Sequence, residues 1–438
     1  MPETMGGFSY WELNFDDDGR ARDGAEHEKI LQELAASSVR DVFIFSHGWN
    51  NDRAMARKLY GGLFEKAQSV LRKRNAIDKA AGIGLLGVVW PSRRWSDETP
   101  PEGEGVAVAS EERKSDADLV RELKDSFPAP EKQQALDEMA DLLEAKPEDN
   151  ESLERFKACI EALLTAPDIE PDAEPGEGNG LTEGTAEEVF QRFQDFADVD
   201  STGGAAGFNP FAKLWGGAKE ALRQASYFTM KKRAGIVGEK GLAPFVTRIG
   251  ALTPARRVHL VGHSFGARLV SFSLKGLEDG TEAPSGSPVK SMTLLQGAFS
   301  HYAFAASLPH DRDRSGALKG MQARVDGPIV ISHTLFDTAC SDLYPAASIV
   351  SRQDAAALPN LNIRWGAMGH TGAQASDAIE KEIVGVGSAL ELSDRRITNL
   401  DANAIIRTGG MPSGAHSDLL HEEVAWAILL ASRVLTTP

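Results

Sequence analysis

The sequence predicts an α/β fold, in which a mostly parallel sheet is flanked by helices. Short apolar runs suited to buried strands alternate along the chain with amphipathic helical patterns, which is typical of such a sheet. The stretch 257–277 passes directly from an apolar run into a helical pattern. The apolar content of 42% and the charged content of 25% are those of a globular chain with a sizeable core.

The first elements of the predicted core occur before residue 97. Residues 8–15 alternate in apolar character like a half-exposed strand, which predicts an edge strand. Buried strands and helices follow, and Pro91-Ser92 ends the last of these strands. In order, the predicted elements are a helix over 24–36, a strand over 41–46, a helix over 54–75 and a strand over 83–90.

An acidic helical insertion is predicted over 97–205, between core segments 1–96 and 206–438. Residues 101–200 contain 29 Asp and Glu against 9 Lys and Arg, whereas the rest of the chain has 35 against 38. Four helical patterns and no strand pattern occur there, and the Pro- and Gly-rich stretch 167–180 predicts partial disorder. We interpret the insertion as a lid or cap candidate, with a partner-binding surface as the alternative.

The remaining core elements follow the insertion. A long helical pattern over 221–249 contains the basic cluster Lys231-Lys232-Arg233, which we interpret as a solvated face. The other predicted elements are strands over 257–261, 289–297, 327–333 and 397–406, a helix over 266–277, and a closing helix from about Leu420.

The most informative motif is Gly262-His263-Ser264-Phe265-Gly266, at the turn from strand to helix. A G-x-S-x-G motif in this context predicts a nucleophile elbow, in which a strained turn holds the serine hydroxyl out of the sheet. Gly262 and Gly266 would allow the helix and the strand to pass close together. The alternative is a tight structural turn with an inactive serine.

A second motif, His47-Gly48-Trp49, follows the predicted strand 41–46. An N–H from such a loop joins the N–H after the nucleophile to bind an oxyanion, which predicts the backbone groups of Trp49 and Phe265 as donors. Gly48 would let the loop approach the substrate closely. The alternative, compatible with this one, is a strand-end turn that caps the next helix at Asn51 or Asp52.

A serine nucleophile requires a histidine base and an acid that orients it, in the chain order serine, acid, histidine. Asp337 is the first choice of acid because it follows the strand 327–333 directly, and Asp342 is the second choice. His416 is the first choice of base because it lies between the last strand and the closing helix. His421 is the second choice, since it falls in the first helical turn.

Other histidines and the two cysteines have no predicted catalytic role. His47 and His263 flank the predicted site, and we expect them to shape it because chain order argues against either as base. Cys159 and Cys340 form no disulfide framework and no metal-ligand spacing, so no metal is predicted. The sequence shows no signal peptide and no membrane span, which favours a cytoplasmic location. The acidic insertion argues against nucleic acid as a partner.

These motifs resemble those of the α/β-hydrolase superfamily, and most closely bacterial α/β-hydrolases of the DUF900 type. The resemblance covers about 1–96 and 206–438, and it rests on five pieces: 45–49, 88–92, 262–266, Asp337 after its strand, and 415–418. It implies an α/β-hydrolase fold, a Ser-Asp-His triad, no metal and no organic cofactor. It implies ester hydrolysis as the default chemistry but supplies no substrate.

We therefore expect a serine esterase or lipase-like hydrolase that forms an acyl-enzyme on Ser264. The expected substrate is a small-molecule or lipid-like acyl ester. An amidase, thioesterase or acyltransferase with the same triad is one alternative, and a non-catalytic binding or scaffold protein on a hydrolase fold is another. The sequence indicates neither the acyl preference nor the oligomeric state.

Overall fold

A computed structural model describes most of the chain. The described residues are 2–49, 51–92, 95, 114–164, 181, 183–200, 209–253, 255–278, 286–342, 366–410 and 413–437. The stretch 167–180, for which the sequence predicts disorder, lies outside them. The chain divides into two compact units, the first formed by 1–92, 231–341 and 366–438, and the second by 93–230 and 342–365.

The first unit contains a nine-stranded sheet in the order β1-β2-β4-β3-β5-β6-β7-β9-β8. Every neighbouring pair is parallel except β1 and β2. The predicted α/β class with a mostly parallel sheet is therefore confirmed. The strands are β1 Glu3–Met5, β2 Phe8–Asn14, β3 Asp41–Ser46, β4 Ile83–Val89, β5 Arg257–His263, β6 Val289–Leu295, β7 Ile329–His333, β8 Ile379–Glu382 and β9 Ile397–Asp401.

Twelve α-helices occur in the described part of the chain. Seven of them, together with the end of α7, belong to the first unit. The helices are α1 Gly24–Ala36, α2 Arg53–Lys73, α3 Asp116–Glu122, α4 Pro130–Ala145, α5 Asn150–Leu164, α6 Ala186–Asp200, α7 Pro210–Ile236, α8 Ala243–Gly250, α9 Phe265–Ser273, α10 Thr338–Asp342, α11 Met368–Thr371 and α12 Glu422–Ala431.

One face of the sheet is covered by α2 and α12, which bury a large apolar cluster against it. Phe45 of β3 packs on Tyr60 of α2 with ring centroids 4.7 Å apart, and Trp426 of α12 is fully buried in the same cluster. Burial of side chains of this size stabilises the fold by about 1.5–3 kcal/mol each. This packing fixes the carboxyl ends of the central strands, from which the candidate site is built.

Two predictions about the core are wrong, and one edge strand was missed. Phe8–Asn14 is not an edge strand, because the short strand β1 pairs with its outer side. The opposite edge strand, Ile379–Glu382, was not predicted, because its sequence Ile-Glu-Lys-Glu contains three charged residues. Lys231 and Arg233 are buried rather than solvated. Arg233 donates to the carbonyl oxygen of Pro91 over 2.9 Å, and burial lowers the pKa of its guanidinium to about 10.

The second unit contains α3 to α6 and the first part of α7. Trp215 of α7 packs edge-on against Phe156 of α5, with ring centroids 5.7 Å apart. Phe156 in turn packs edge-on against Phe190 of α6 at 5.8 Å. All three rings are buried, so the acidic helices enclose an apolar core of their own.

The helix that leads to the elbow strand contains a π-helical turn, Val237–Leu242, between α7 and α8. This turn packs directly on α9, the helix that follows Ser264. A Cβ added to Gly238 would overlap the carbonyl oxygen of Leu269 in α9. The two backbones can approach this closely only because position 238 has no side chain.

We predict that Gly238→Ala destabilises the protein by about 1–3 kcal/mol, because the methyl group forces α9 away from the π-helical turn. The higher helix propensity of Ala offsets at most about 1 kcal/mol of this loss. Gly385→Ala is the matched control, because a Cβ there meets no atom within 4 Å. Urea unfolding monitored by tryptophan fluorescence measures both, and equal stability of the two variants would contradict the packing argument.

Candidate active site

The candidate site lies where the strand order reverses. From β3 the chain passes to β4 on one side and then returns to β5 on the other side of β3. In open parallel sheets, such a reversal leaves a crevice at the carboxyl ends of the two strands, where ligands bind. Ser46 pairs in register with Gly262, so the loops that follow β3 and β5 leave the sheet side by side.

Ser264 occupies a strained turn between β5 and α9. Its φ of 57° and ψ of −124° lie in a region that residues other than Gly rarely adopt, which costs about 1–3 kcal/mol. Two backbone hydrogen bonds maintain this strained conformation. The Ser264 N–H donates to the Leu295 carbonyl over 3.1 Å, and the Ser264 carbonyl accepts the Ala298 N–H over 3.3 Å. The structure thus gives Ser264 the conformation that a nucleophile elbow requires.

Close backbone approach explains the glycines around this turn. A Cβ on Gly48 would lie 2.5 Å from the Cβ and 3.0 Å from the Oγ of Ser264. A Cβ on Gly266 would overlap the carbonyl oxygen of Ser46, and one on Gly262 would overlap the carbonyl oxygen of Gly266. The loop after β3 is therefore packed against the candidate nucleophile.

The two residues predicted to bind an oxyanion flank Ser264. Trp49 follows Gly48, and Phe265 is the first residue of α9. Their rings pack at a tilt of 34° with centroids 6.3 Å apart. N–H groups in the first turn of a helix are directed towards its N-terminus, which here is Ser264.

Side chains from α2 and from the loop after β4 hold the loop at His47 to Asn51. The N–H of His47 bonds to the Tyr60 hydroxyl over 2.9 Å, and Trp90 Nε1 donates to the carbonyl of His47 over 3.1 Å. Ser92 Oγ donates to the carbonyl of Asn51 over 2.9 Å. Asp52 caps α2, as expected for this turn. Sequence reasoning assigned no site role to Tyr60, Trp90 or Ser92, although β4 neighbours β3 and its end must lie nearby.

The predicted acid and the predicted base are in direct contact. His416 lies between β9 and α12, and its Nδ1 is 2.8 Å from Oδ2 of the fully buried Asp337. A buried carboxylate accepts, so Nδ1 carries the proton and Nε2 is left as an acceptor. Oδ1 of Asp337 accepts the N–H of Cys340 over 2.9 Å, which fixes the orientation of the carboxylate.

His263 connects the turn at Ser264 to His416, the candidate base. Its Nε2 donates to the carbonyl of His416 over 2.9 Å, and the two rings have centroids 4.8 Å apart. Burial, followed by the charge of His416, lowers the pKa of His263 to about 3. Burial likewise lowers the pKa of His47 to about 4, and its Nδ1 donates to Gly48 O over 2.9 Å. Both imidazoles are therefore neutral at pH 7, which fits a shaping role.

The second-choice base has a different carboxylate partner from His416. Nε2 of His421, at the N-cap of α12, is 2.7 Å from Oδ1 of Asp418. The other carboxylate oxygen of Asp418 accepts the N–H groups of Arg407 and Thr408. The structure thus pairs His421 with its own local carboxylate and places His416 with Asp337. Asp342 is the last residue of α10.

Cys340 adjoins the acid and the base, and sequence reasoning gave it no site role. Its Sγ is 3.8 Å from Nδ1 of His416 and 3.7 Å from the carbonyl oxygen of Gln296. Burial, with the charge of Asp337, raises the pKa of the Cys340 thiol well above its usual range. The sequence did contain a signal that Cys340 lies beside Asp337. The side chain of an Asp at a helix N-cap accepts the backbone N–H of the third residue after it, which here is Cys340. Asp337, Cys340 and His416 form the one group in the described chain whose donors could hold a metal ion.

Comparison with protein-family models, curated proteins and solved structures gave no match for this chain. A function for it therefore has to be argued from the residues of the site and their geometry. None of the helices in the described ranges is both long enough and apolar enough to cross a membrane.

We predict that the free energy of unfolding depends less on pH in His263→Gln than in the unmodified protein. Above about pH 6.5, His263 is neutral in the folded and unfolded states and contributes nothing. Below that pH the unfolded chain binds a proton that the folded protein excludes down to about pH 3, so stability falls with falling pH. The loss is at most about 1.4 kcal/mol per pH unit for each such histidine. Glutamine retains an N–H donor for the His416 carbonyl without titrating.

Urea unfolding between pH 7 and pH 4.5 measures this difference. We expect the free energy of unfolding to decline less steeply in His263→Gln than in the unmodified protein, although His47 still contributes a decline of the same sign. Identical slopes for both proteins would show that His263 is not a buried neutral imidazole.

Proposed function

We propose that the protein is a serine hydrolase of the α/β-hydrolase superfamily, similar to the DUF900 type, and that it cleaves carboxylic esters. One observation carries the proposal: Ser264 is held in a strained strand-to-helix turn that His263 connects to the Asp337–His416 pair. The mostly parallel sheet supports it as well, because Ser264 follows β5, next to the reversal of strand order where such sheets bind ligands.

In the proposed reaction, Oγ of Ser264 attacks the ester carbonyl carbon while Nε2 of His416 takes the hydroxyl proton. Asp337 keeps the Nδ1 proton of His416 in place and stabilises the imidazolium that forms. His416 then gives its proton to the leaving alcohol, and an acyl-enzyme remains on Ser264. Water, deprotonated by His416, releases the acid and restores the serine.

The negative oxygen of each tetrahedral intermediate is stabilised by the backbone N–H groups of Trp49 and Phe265. The contact of Gly48 with Ser264 supports this role, because it brings the loop's peptide groups next to the attacking atom. Oxyanion donors of this kind contribute about 3–4 kcal/mol each to transition-state stabilisation. The bonds from Tyr60 and Trp90 to His47 keep the loop in position without rearrangement during the reaction.

The proposed substrate is a small-molecule or lipid-like acyl ester. A serine at the elbow argues against epoxide hydrolase or dehalogenase chemistry, in which an Asp nucleophile is required. Amide or thioester cleavage and acyl transfer would use the same groups. A panel of esters with graded acyl length, tested with an amide and a thioester of one acyl group, distinguishes these activities.

We predict that a fluorophosphonate probe labels the folded protein at Ser264. The label should disappear in Ser264→Ala, whose ester hydrolysis should fall by several orders of magnitude in kcat with little loss of stability. Ser271→Ala is a suitable control, because Ser271 lies in α9 and bonds to the Ala267 carbonyl over 2.7 Å. A folded protein that takes no label would favour a non-catalytic scaffold with the acidic insertion as its contact surface.

We predict that His416→Ala lowers kcat by several orders of magnitude and that His421→Ala leaves it within a factor of a few. The reason is that His416 contacts Asp337, whereas His421 contacts Asp418. Initial rates with one activated ester, at equal amounts of folded protein, measure both variants. Inactivation by His421→Ala together with activity in His416→Ala would reverse the assignment of the base.

A further inference from the structure

The side chain of Cys340 has no part in the proposed reaction, yet it lies beside the acid and the base. Its Sγ is 3.8 Å from Nδ1 of His416, and that nitrogen is 2.8 Å from Oδ2 of Asp337. All three ligand atoms lie within 4.8 Å of one another. A thiol, an imidazole and a carboxylate are thus placed around one point.

This donor set suits a borderline divalent cation. Zn²⁺ binds thiolate at about 2.3 Å and imidazole or carboxylate at about 2.0–2.2 Å, so that neighbouring ligand atoms lie about 3.3–3.6 Å apart. The separation of Cys340 and His416 is already close to this value. Asp337 and His416 need to separate by only about half an ångström once no proton lies between them.

We propose that Asp337, Cys340 and His416 form an inhibitory Zn²⁺ site, with a fourth position open to water. The ion binds Oδ2 of Asp337, Sγ of Cys340 and Nδ1 of His416. The carboxylate and the thiolate together balance its two positive charges, so the buried site carries no net charge. A coordinated cation removes the proton of a thiol outright, and that proton passes to solvent.

Binding at Nδ1 of His416 changes which nitrogen carries the imidazole proton. In the metal-free pair the proton is on Nδ1 and Nε2 accepts, whereas the metal-bound ring carries its proton on Nε2. A ring in that tautomer has no lone pair with which to take the proton of Ser264. Inhibition therefore rests on the proposed hydrolase function, whereas binding of the ion does not.

The experiment titrates the full chain with Co²⁺, which occupies Zn²⁺ sites and gives a near-ultraviolet charge-transfer band when a thiolate binds it. We compare the unmodified protein with Cys340→Ser and with Cys159→Ser. Cys159 is the matched control, because it is the other cysteine of the chain and is also buried, in α5. Zn²⁺ added afterwards should remove the band by displacing Co²⁺.

We expect one Co²⁺ per chain with a thiolate band in the unmodified protein and in Cys159→Ser, and no band in Cys340→Ser. Half-maximal inhibition of ester hydrolysis by Zn²⁺ should require at least about 10-fold more ion in Cys340→Ser, each variant being compared with its own metal-free rate. If Cys340→Ser unfolds, Cys340→Ala replaces it, and a thermal melt checks each protein.

Two results would overturn the proposal: no thiolate band in the unmodified protein, or a band that persists in folded Cys340→Ser. Equal Zn²⁺ inhibition of the unmodified protein and Cys340→Ser would do the same. The band is independent of catalysis, so a protein that binds Co²⁺ through Cys340 but hydrolyses no ester would refute the hydrolase function and retain the metal site.

Discussion

The site depends on the close packing of one backbone turn among the ends of three neighbouring strands. Ser264 is in a disfavoured conformation, and the end of β6 holds it there through the Leu295 carbonyl and the Ala298 N–H. Gly266 lets α9 begin directly against the end of β3. A strain of about 1–3 kcal/mol persists only where the surrounding structure allows no other conformation. Around Ser264, three strands and a helix impose this restriction.

Burial distinguishes the three imidazoles at this edge of the sheet, those of His47, His263 and His416. His47 and His263 are buried, and loss of hydration lowers the pKa of His47 to about 4 and that of His263 to about 3. His416 is the most exposed of the three, and its Nδ1 contacts the carboxylate of Asp337. The two neutral rings therefore hold the loops in place through their N–H groups, and His416 remains the candidate base.

The sequence pattern predicted those strands and helices that depend mainly on local interactions. The predicted strands 41–46 and 257–261 and the predicted helix 24–36 have clear periodicity and bounded ends, and the motif residues follow from them. Tertiary structure determines the rest. The strand Ile379–Glu382 is recognisable only by its pairing with β9, and burial of Arg233 depends on the Pro91 carbonyl, which is distant in sequence. The contact of Cys340 in α10 with His416 joins residues 76 positions apart, which no local pattern reveals.

An Asp-His-Ser array at the other end of the sheet shows why residue types alone do not define such a site. His259 lies 2.9 Å from the Ser291 hydroxyl and 3.1 Å from Asp41, all within strands near the amino ends of β3, β5 and β6. Burial lowers the pKa of His259 even beside Asp41. Ser291 lies within β6, where no helix begins and no strained turn presents its hydroxyl. The same three residue types therefore lie in regular packing at one end of the sheet, whereas at the other end Ser264 lies in a strained turn at the start of a helix.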